Sequence, residues 1–179
     1  MSGRITELGS VLFAADGSEG TYRNIIKRLD LKPPILVKPN WSGSDVFTEK
    51  EILDWTLSAI NSEVLVVESY AHFRSPLLAY REGPFDSALE EKLTKQKKKD
   101  LRANDKWFGE YSGCTEILEK HNVEYLNLSE ELWANRVCDS DVIKEEVNSQ
   151  FDPIKEEVFY SMVPTRLYEL KGGTLLSIA

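Results

Sequence analysis

The run Ile35-Leu36-Val37-Lys38-Pro39-Asn40-Trp41 constrains this chain more than any other stretch. Three branched or bulky apolar residues follow Pro33-Pro34 and end abruptly in Lys-Pro-Asn. A short, continuously apolar run of this kind reads as a strand buried on both faces, as in parallel sheets. Proline has no amide proton to give a central ladder, so Lys38, Asn40 and Trp41 are expected on the loop at the strand's carboxyl end. Ligands of open α/β sheets bind at that edge.

The pattern around this strand repeats. Val64-Leu65-Val66-Val67 is a second continuously apolar run, and it empties into Glu68-Ser69-Tyr70-Ala71-His72-Phe73-Arg74. Between the two runs, Thr48-Glu49-Lys50-Glu51 has the spacing of a capping box, with Ile52, Leu53, Leu57 and Ile60 as the buried stripe of the helix it opens. Upstream, residues 10–15 read as a first strand, Asp16-Gly17-Ser18-Glu19-Gly20 breaks it, and Tyr22, Ile25, Ile26 and Leu29 mark a helix. Three strand-then-helix units imply a three-layer α/β fold, Rossmann-like or flavodoxin-like, with a mostly parallel sheet and helices on both faces.

Residues 75–112 leave that rhythm. Pro76 and Gly83-Pro84 interrupt it, and the segment holding Lys95, Lys97, Lys98 and Lys99 reads as a solvated helical excursion that Trp107, Phe108 and Tyr111 bring back onto the core. A nucleic-acid platform of these lysines and aromatics is the alternative, weakened by the acidic residues between them. Further on, residues 115–121 read as a helix, 123–128 as a strand, 129–133 as a helical turn, 158–162 as a strand, 165–170 as a short helix and 174–178 as a last strand. Residues 136–154 fit either a helix or short irregular strands.

Composition narrows the function classes. At 179 residues, 41% apolar and 29% charged, the chain suits a single domain over 1–179 with a sizeable core. A formal net charge of -8 makes a nucleic-acid partner unlikely. No run approaches the roughly 18 apolar residues of a membrane span, and the amino terminus lacks a signal-peptide pattern, so the expected address is the cytoplasm. Two widely spaced cysteines, Cys114 and Cys138, supply neither a disulfide framework nor an iron-sulfur cluster and are expected to be reduced and structural.

Several chemistries can be weighed from spacing. Adjacent parallel strand ends lie about 5 Å apart, so Lys38 and Asn40 are expected to face Glu68, Ser69, His72 and Arg74 across one crevice. Lysine and asparagine suit an anionic group, and glutamate suits a proton or a cation. The competing reading is a plain Lys38–Glu68 ion pair with Asn40 in a side-chain turn. A metal site would draw on Glu68 and His72 with Asp16 or Asp45, at a spacing that matches no established signature. His121, at a helix end, reads as a favourable terminal charge or a donor. Ser69 and Cys114 lack a recognisable base for nucleophilic catalysis, and the 16–20 turn lacks the glycines of a phosphate cradle.

The order of Lys38-Pro39-Asn40, the helix from Thr48 to Ile60, Glu68-Ser69 and Thr174-Leu175-Leu176-Ser177-Ile178 resembles the domain of unknown function family 362. That resemblance implies a strand ending in Lys-Pro-Asn and another ending in an acidic residue and serine, with no established reaction, substrate or cofactor. Some relatives carry ferredoxin-type cysteine clusters, which these residues do not match. The family pattern continues past the last strand into a proline and lysine-rich motif, so the ending at Ala179 reads as the N-terminal part of a longer domain. The expectation is a small anionic or metal-bound ligand at the sheet's carboxyl edge. The alternative is a non-enzymatic interaction module working through residues 75–112.

Overall fold

A computed structural model describes residues 5–179. Its centre is a parallel sheet of β3 (Ile35–Pro39), β4 (Val64–Glu68), β5 (Glu124–Asn127) and β6 (Thr174–Ile178), in the order β5-β4-β3-β6. The chain therefore builds outward from β3 to β4 and β5, then crosses back to lay β6 on the other side of β3. Among the described residues this is the order of the first four strands of a doubly wound Rossmann sheet, and the reversal beside β3 is its switch point. Register pairs Ile35 with Val64 and Thr174, and Pro39 with Ile178.

Pleat alternation sends the strands' side chains to two layers. Ile35, Val37, Val66 and Ile178 join Leu53 and Leu57 of α2 (Lys50–Ala59), Phe108 of α5 (Lys98–Tyr111), and Cys114 and Ile117 of α6 (Cys114–His121) in the larger core. Leu65, Val67 and Leu126 point the other way, where Leu36, Leu128, Leu167 and Leu170 pack on them. The second layer is supplied by α7 (Leu128–Trp133) and α9 (Thr165–Glu169). Burying side chains such as Leu53 and Val66, both fully inaccessible, stabilises the fold by about 1.5–3 kcal/mol each.

Several expectations from sequence are corrected. Val11–Ala14 (β2) is a strand, but it pairs antiparallel with Ile5–Leu8 (β1) in a separate hairpin. Gly9 turns the chain at φ 61, so the two short runs meet directly and need no crossover. Leu8, Val11 and Phe13 are exposed there. The helix that follows, α1 (Glu19–Arg28), packs on α2, and the Tyr22 hydroxyl lies 2.9 Å from Thr56 Oγ1.

Thr48 is not the cap of α2, which begins after Glu49. Its hydroxyl instead accepts from Asn40 N at 2.8 Å and donates to the Ile178 carbonyl at 3.0 Å, binding the ends of β3 and β6 together. Residues 157–162 form a 3-10 helix where a strand was expected. Only Tyr160 of that helix is buried, and its hydroxyl accepts from Ile154 N at 2.7 Å and donates to Asn148 at 3.0 Å. Those bonds tie the segment to α8 (Ser140–Gln150), the helix that resolves the ambiguity of residues 136–154.

The excursion is helical, as expected: α3 (Pro76–Ala79), α4 (Ser87–Thr94) and α5. Phe108 enters the core at 1% exposure, whereas Tyr111 stays 42% exposed.

Candidate functional site at the carboxyl rim of the sheet

Lys38 is the penultimate residue of β3, not a loop residue, and lies opposite Ser177 of β6 in register. Glu68 ends β4 one strand away. The shared rim brings them together: Lys38 Nζ donates to Glu68 Oε2 at 3.1 Å and to the Pro39 carbonyl at 3.3 Å. Glu68 is 8% exposed and accepts further bonds from Ser69 N at 2.9 Å, Ser69 Oγ at 3.4 Å and Trp41 N at 3.4 Å. Its lone pairs are thus occupied by the loops that leave β3 and β4, and the carboxylate works as a clasp between them.

Arg74 extends this network inward. It is 1% exposed, donates from Nη2 to the Ser69 carbonyl, and places Nη1 2.7 Å from Asp105 Oδ1 of α5. The guanidinium also lies over the Phe108 ring, 5.6 Å from its centre. Asp105 Oδ2 receives Asn127 Nδ2 at 3.3 Å and the Tyr125 hydroxyl at 3.4 Å. Burial pushes the Asp105 carboxyl above its ordinary range, against the opposing pull of Arg74 and of Asn127 and Tyr125, with nearby Glu68 adding to the rise. Burial and the Asp105 charge likewise raise the Tyr125 hydroxyl, and burial raises the Cys114 thiol.

Four of the residues singled out from sequence therefore converge: Lys38, Glu68, Ser69 and Arg74. Asn40 joins them through its main chain, with N donating to Ile178 O at 3.0 Å and O accepting from Thr48 N at 2.8 Å. His72 does not join. Its exposed ring turns away to α4, with Nδ1 3.1 Å from the Leu93 carbonyl.

The metal ligands considered with it are scattered as well. Asp16 accepts from Ser18 N at 3.0 Å and Ser18 Oγ at 2.6 Å beside the N-cap of α1, and Asp45 pairs with Arg81 at 3.1 Å. Among the described residues no group of three or more His, Cys, Asp or Glu side chains is placed to hold a metal ion. His121 closes α6 and meets Asp54 at 2.6 Å, in keeping with a terminal donor.

Asp105, Tyr125 and Asn127 were not singled out from sequence. Asp105 did carry a signal, since Leu101, Asp105 and Phe108 share one face of α5 at i, i+4 and i+7, which sets a carboxylate in an otherwise apolar stripe. Tyr125 and Asn127 alternate on β5 toward the same layer.

No protein-family model, curated protein or solved structure matches the chain. No helix among the described residues is long and apolar enough to cross a membrane.

Proposed function

We propose that this chain binds a small anionic ligand at the carboxyl rim of its sheet, with Lys38 as the counter-charge and Asn40 and Ser69 as hydrogen-bonding neighbours. The observation that carries the reading is the 3.1 Å approach of Lys38 Nζ to Glu68 beside the β3/β6 switch point. The ammonium has three donors and spends two on Glu68 and Pro39 O, while the side chain remains 43% exposed. One N–H is left facing solvent. Glu68 positions the ammonium, and Arg74 fixes the Ser69 carbonyl beneath it. The likeness of Lys38-Pro39-Asn40 and Glu68-Ser69 to family 362 belongs to the same proposal, as does a cytoplasmic address, which suits the free cysteines Cys114 and Cys138.

A thermal-shift series with inorganic phosphate, nucleotides and divalent metals tests the reading. A ligand that binds only the folded chain adds about 2.7 kcal/mol at a hundred times its Kd. The anionic compound that raises the melting temperature of the native chain is expected to lose its effect on Lys38→Ala and Glu68→Ala. A response retained by both variants overturns the site.

A second reading has one observation of its own. Tyr80, Trp107 and Tyr111 form a cluster of rings on the excursion, with Trp107 and Tyr111 stacked at 4.7 Å and Tyr80 edge-on at 5.9 and 6.0 Å. Tyr80 is 66% exposed. Exposed aromatic groups of this kind suit a protein partner. Under this reading, a photo-crosslinker at position 111 captures one partner stoichiometrically, and Tyr80→Ala abolishes the capture. Crosslinks spread over many proteins count against it.

A further inference from the structure

Beneath the rim lies a partly open cavity of about 130 Å³, walled by Trp41, Arg74, Asp105, Phe108, Leu118 and Tyr125. Two features of its wall are unusual. Trp41 is 4% exposed and its indole N–H has no acceptor, and Arg74, at 1% exposure, has an Nε–H without one. Arg74 Nη1 adds a third donor. It is near enough to Asp105 for Coulombic attraction but makes no aligned hydrogen bond. Leaving a buried donor unmade is costly, so protein interiors rarely leave one without a partner.

Charge and shape narrow the guest. The cavity wall carries two cations, buried Arg74 and solvent-exposed Lys106, against one carboxylate, Asp105. Glu68, the other carboxylate acting on Asp105, is already matched by Lys38. One negative charge is therefore the most that the pocket can balance. The unmade groups are all donors, which asks for an acceptor-only group such as a carboxylate. Phe108, Leu118 and Cys114 give the remainder an apolar lining suited to a short hydrocarbon tail. A cavity of about 150 Å³ admits benzene, which sets the guest at roughly six heavy atoms or fewer.

We infer that this cavity is a binding site for a short-chain monocarboxylate, its oxygens received by the Trp41 indole N–H and the Arg74 guanidinium and its tail lying against Phe108 and Leu118. The site makes no contact with Lys38, whose part in it is to neutralise Glu68.

The indole N–H resonances of the 15N-labelled chain test the inference, with butyrate as the probe. There are four tryptophans, and Trp41 is assigned by the resonance missing from Trp41→Phe. Butyrate is expected to move the Trp41 signal saturably and to leave those of Trp55, Trp107 and Trp133 in place. The uncharged isostere butyramide is expected to bind at least about tenfold more weakly, because a hydrogen bond to a charged group is lost. A Lys38→Met/Glu68→Gln chain, which removes both charges of the rim pair together, should bind butyrate as the native chain does. An unmoved Trp41 signal, an equal response to butyramide, or an equal response to inorganic phosphate overturns the inference. Loss of butyrate binding in that double variant would also overturn it, by placing the carboxylate at the rim and sparing the rim reading.

Discussion

Replacing Asp105 with asparagine keeps the side chain's shape and removes its charge, so it isolates what the ion pair with Arg74 does. Arg74 is 1% exposed and its Nη1 sits 2.7 Å from Asp105 Oδ1, while the Asp105 side chain is 15% exposed. Removing one partner of a buried pair leaves an uncompensated charge and costs about 3–5 kcal/mol. Arg74 keeps its bond to the Ser69 carbonyl, which favours the lower bound, about 3 kcal/mol. For a chain of this size that is a fall of roughly 6–12 °C in melting temperature. Lys38→Met is the control, because the Lys38 side chain is 43% exposed and Glu68, though buried, keeps its bonds from Ser69 and Trp41, so the loss should be smaller than that of Asp105→Asn. Urea unfolding followed by tryptophan fluorescence measures both, with unchanged slopes required for the comparison. An Asp105→Asn chain within about 0.5 kcal/mol of the native one, or a Lys38→Met loss as large as that of Asp105→Asn, would refute the assignment of Arg74 as a buried charge held by Asp105.

Three further outcomes follow from the geometry. Thr48→Val removes the hydroxyl between Asn40 N and Ile178 O and should cost about 1–3 kcal/mol in urea unfolding; a neutral substitution would mean that the bridge is unimportant. Gly173→Ala would drive a Cβ into the Pro34 carbonyl, so Thr174 N should lose its 3.1 Å bond to Pro34 O and exchange its amide proton faster, whereas unchanged exchange would contradict the close approach. Arg102, at 2.6 and 2.7 Å, holds the Glu130 carboxyl down to about 2, against the cost of burial and with help from the Tyr70 hydroxyl at 2.6 Å. A lowered carboxyl pKa stabilises the fold at neutral pH, and that contribution fades as pH falls from about 5 toward 2. Glu130→Gln should lower neutral stability by about 1 kcal/mol after solvent screening and flatten the acid side of the stability curve; parallel curves would exclude the effect.

The central sheet was legible because β3 and β4 are buried on both sides, and such strands print uninterrupted apolar runs. Thr174 to Ile178 prints an apolar run as well, although it is an edge strand on which Leu175 is 61% exposed. Residues 11–14 print a run just as apolar, yet their fate depended on Gly9 and on the short segment before it, which allowed local antiparallel pairing. Thr48 matched a capping box by spacing, but a long-range acceptor at Ile178 outcompeted the local cap. At the site, Lys38 and Glu68 were readable as neighbouring strand ends. His72 and Arg74 were indistinguishable by position, and the partners that separate them, Leu93 and Asp105, both come from the excursion. Exposure of its lysines hid the inward-facing carboxylate.

The stitching of β6 onto β3 sets the timetable of assembly during synthesis. Ile35 gains Val64 soon after it emerges but waits for Thr174 on its other flank. At ribosomal speeds of about 5–20 residues per second, that flank stays open for on the order of ten seconds. During that interval the backbone groups of Leu36 and Lys38 that later pair with β6 form a bare ladder, and a nascent chain arrested before residue 174 should recruit chaperones that one arrested well beyond residue 178 does not.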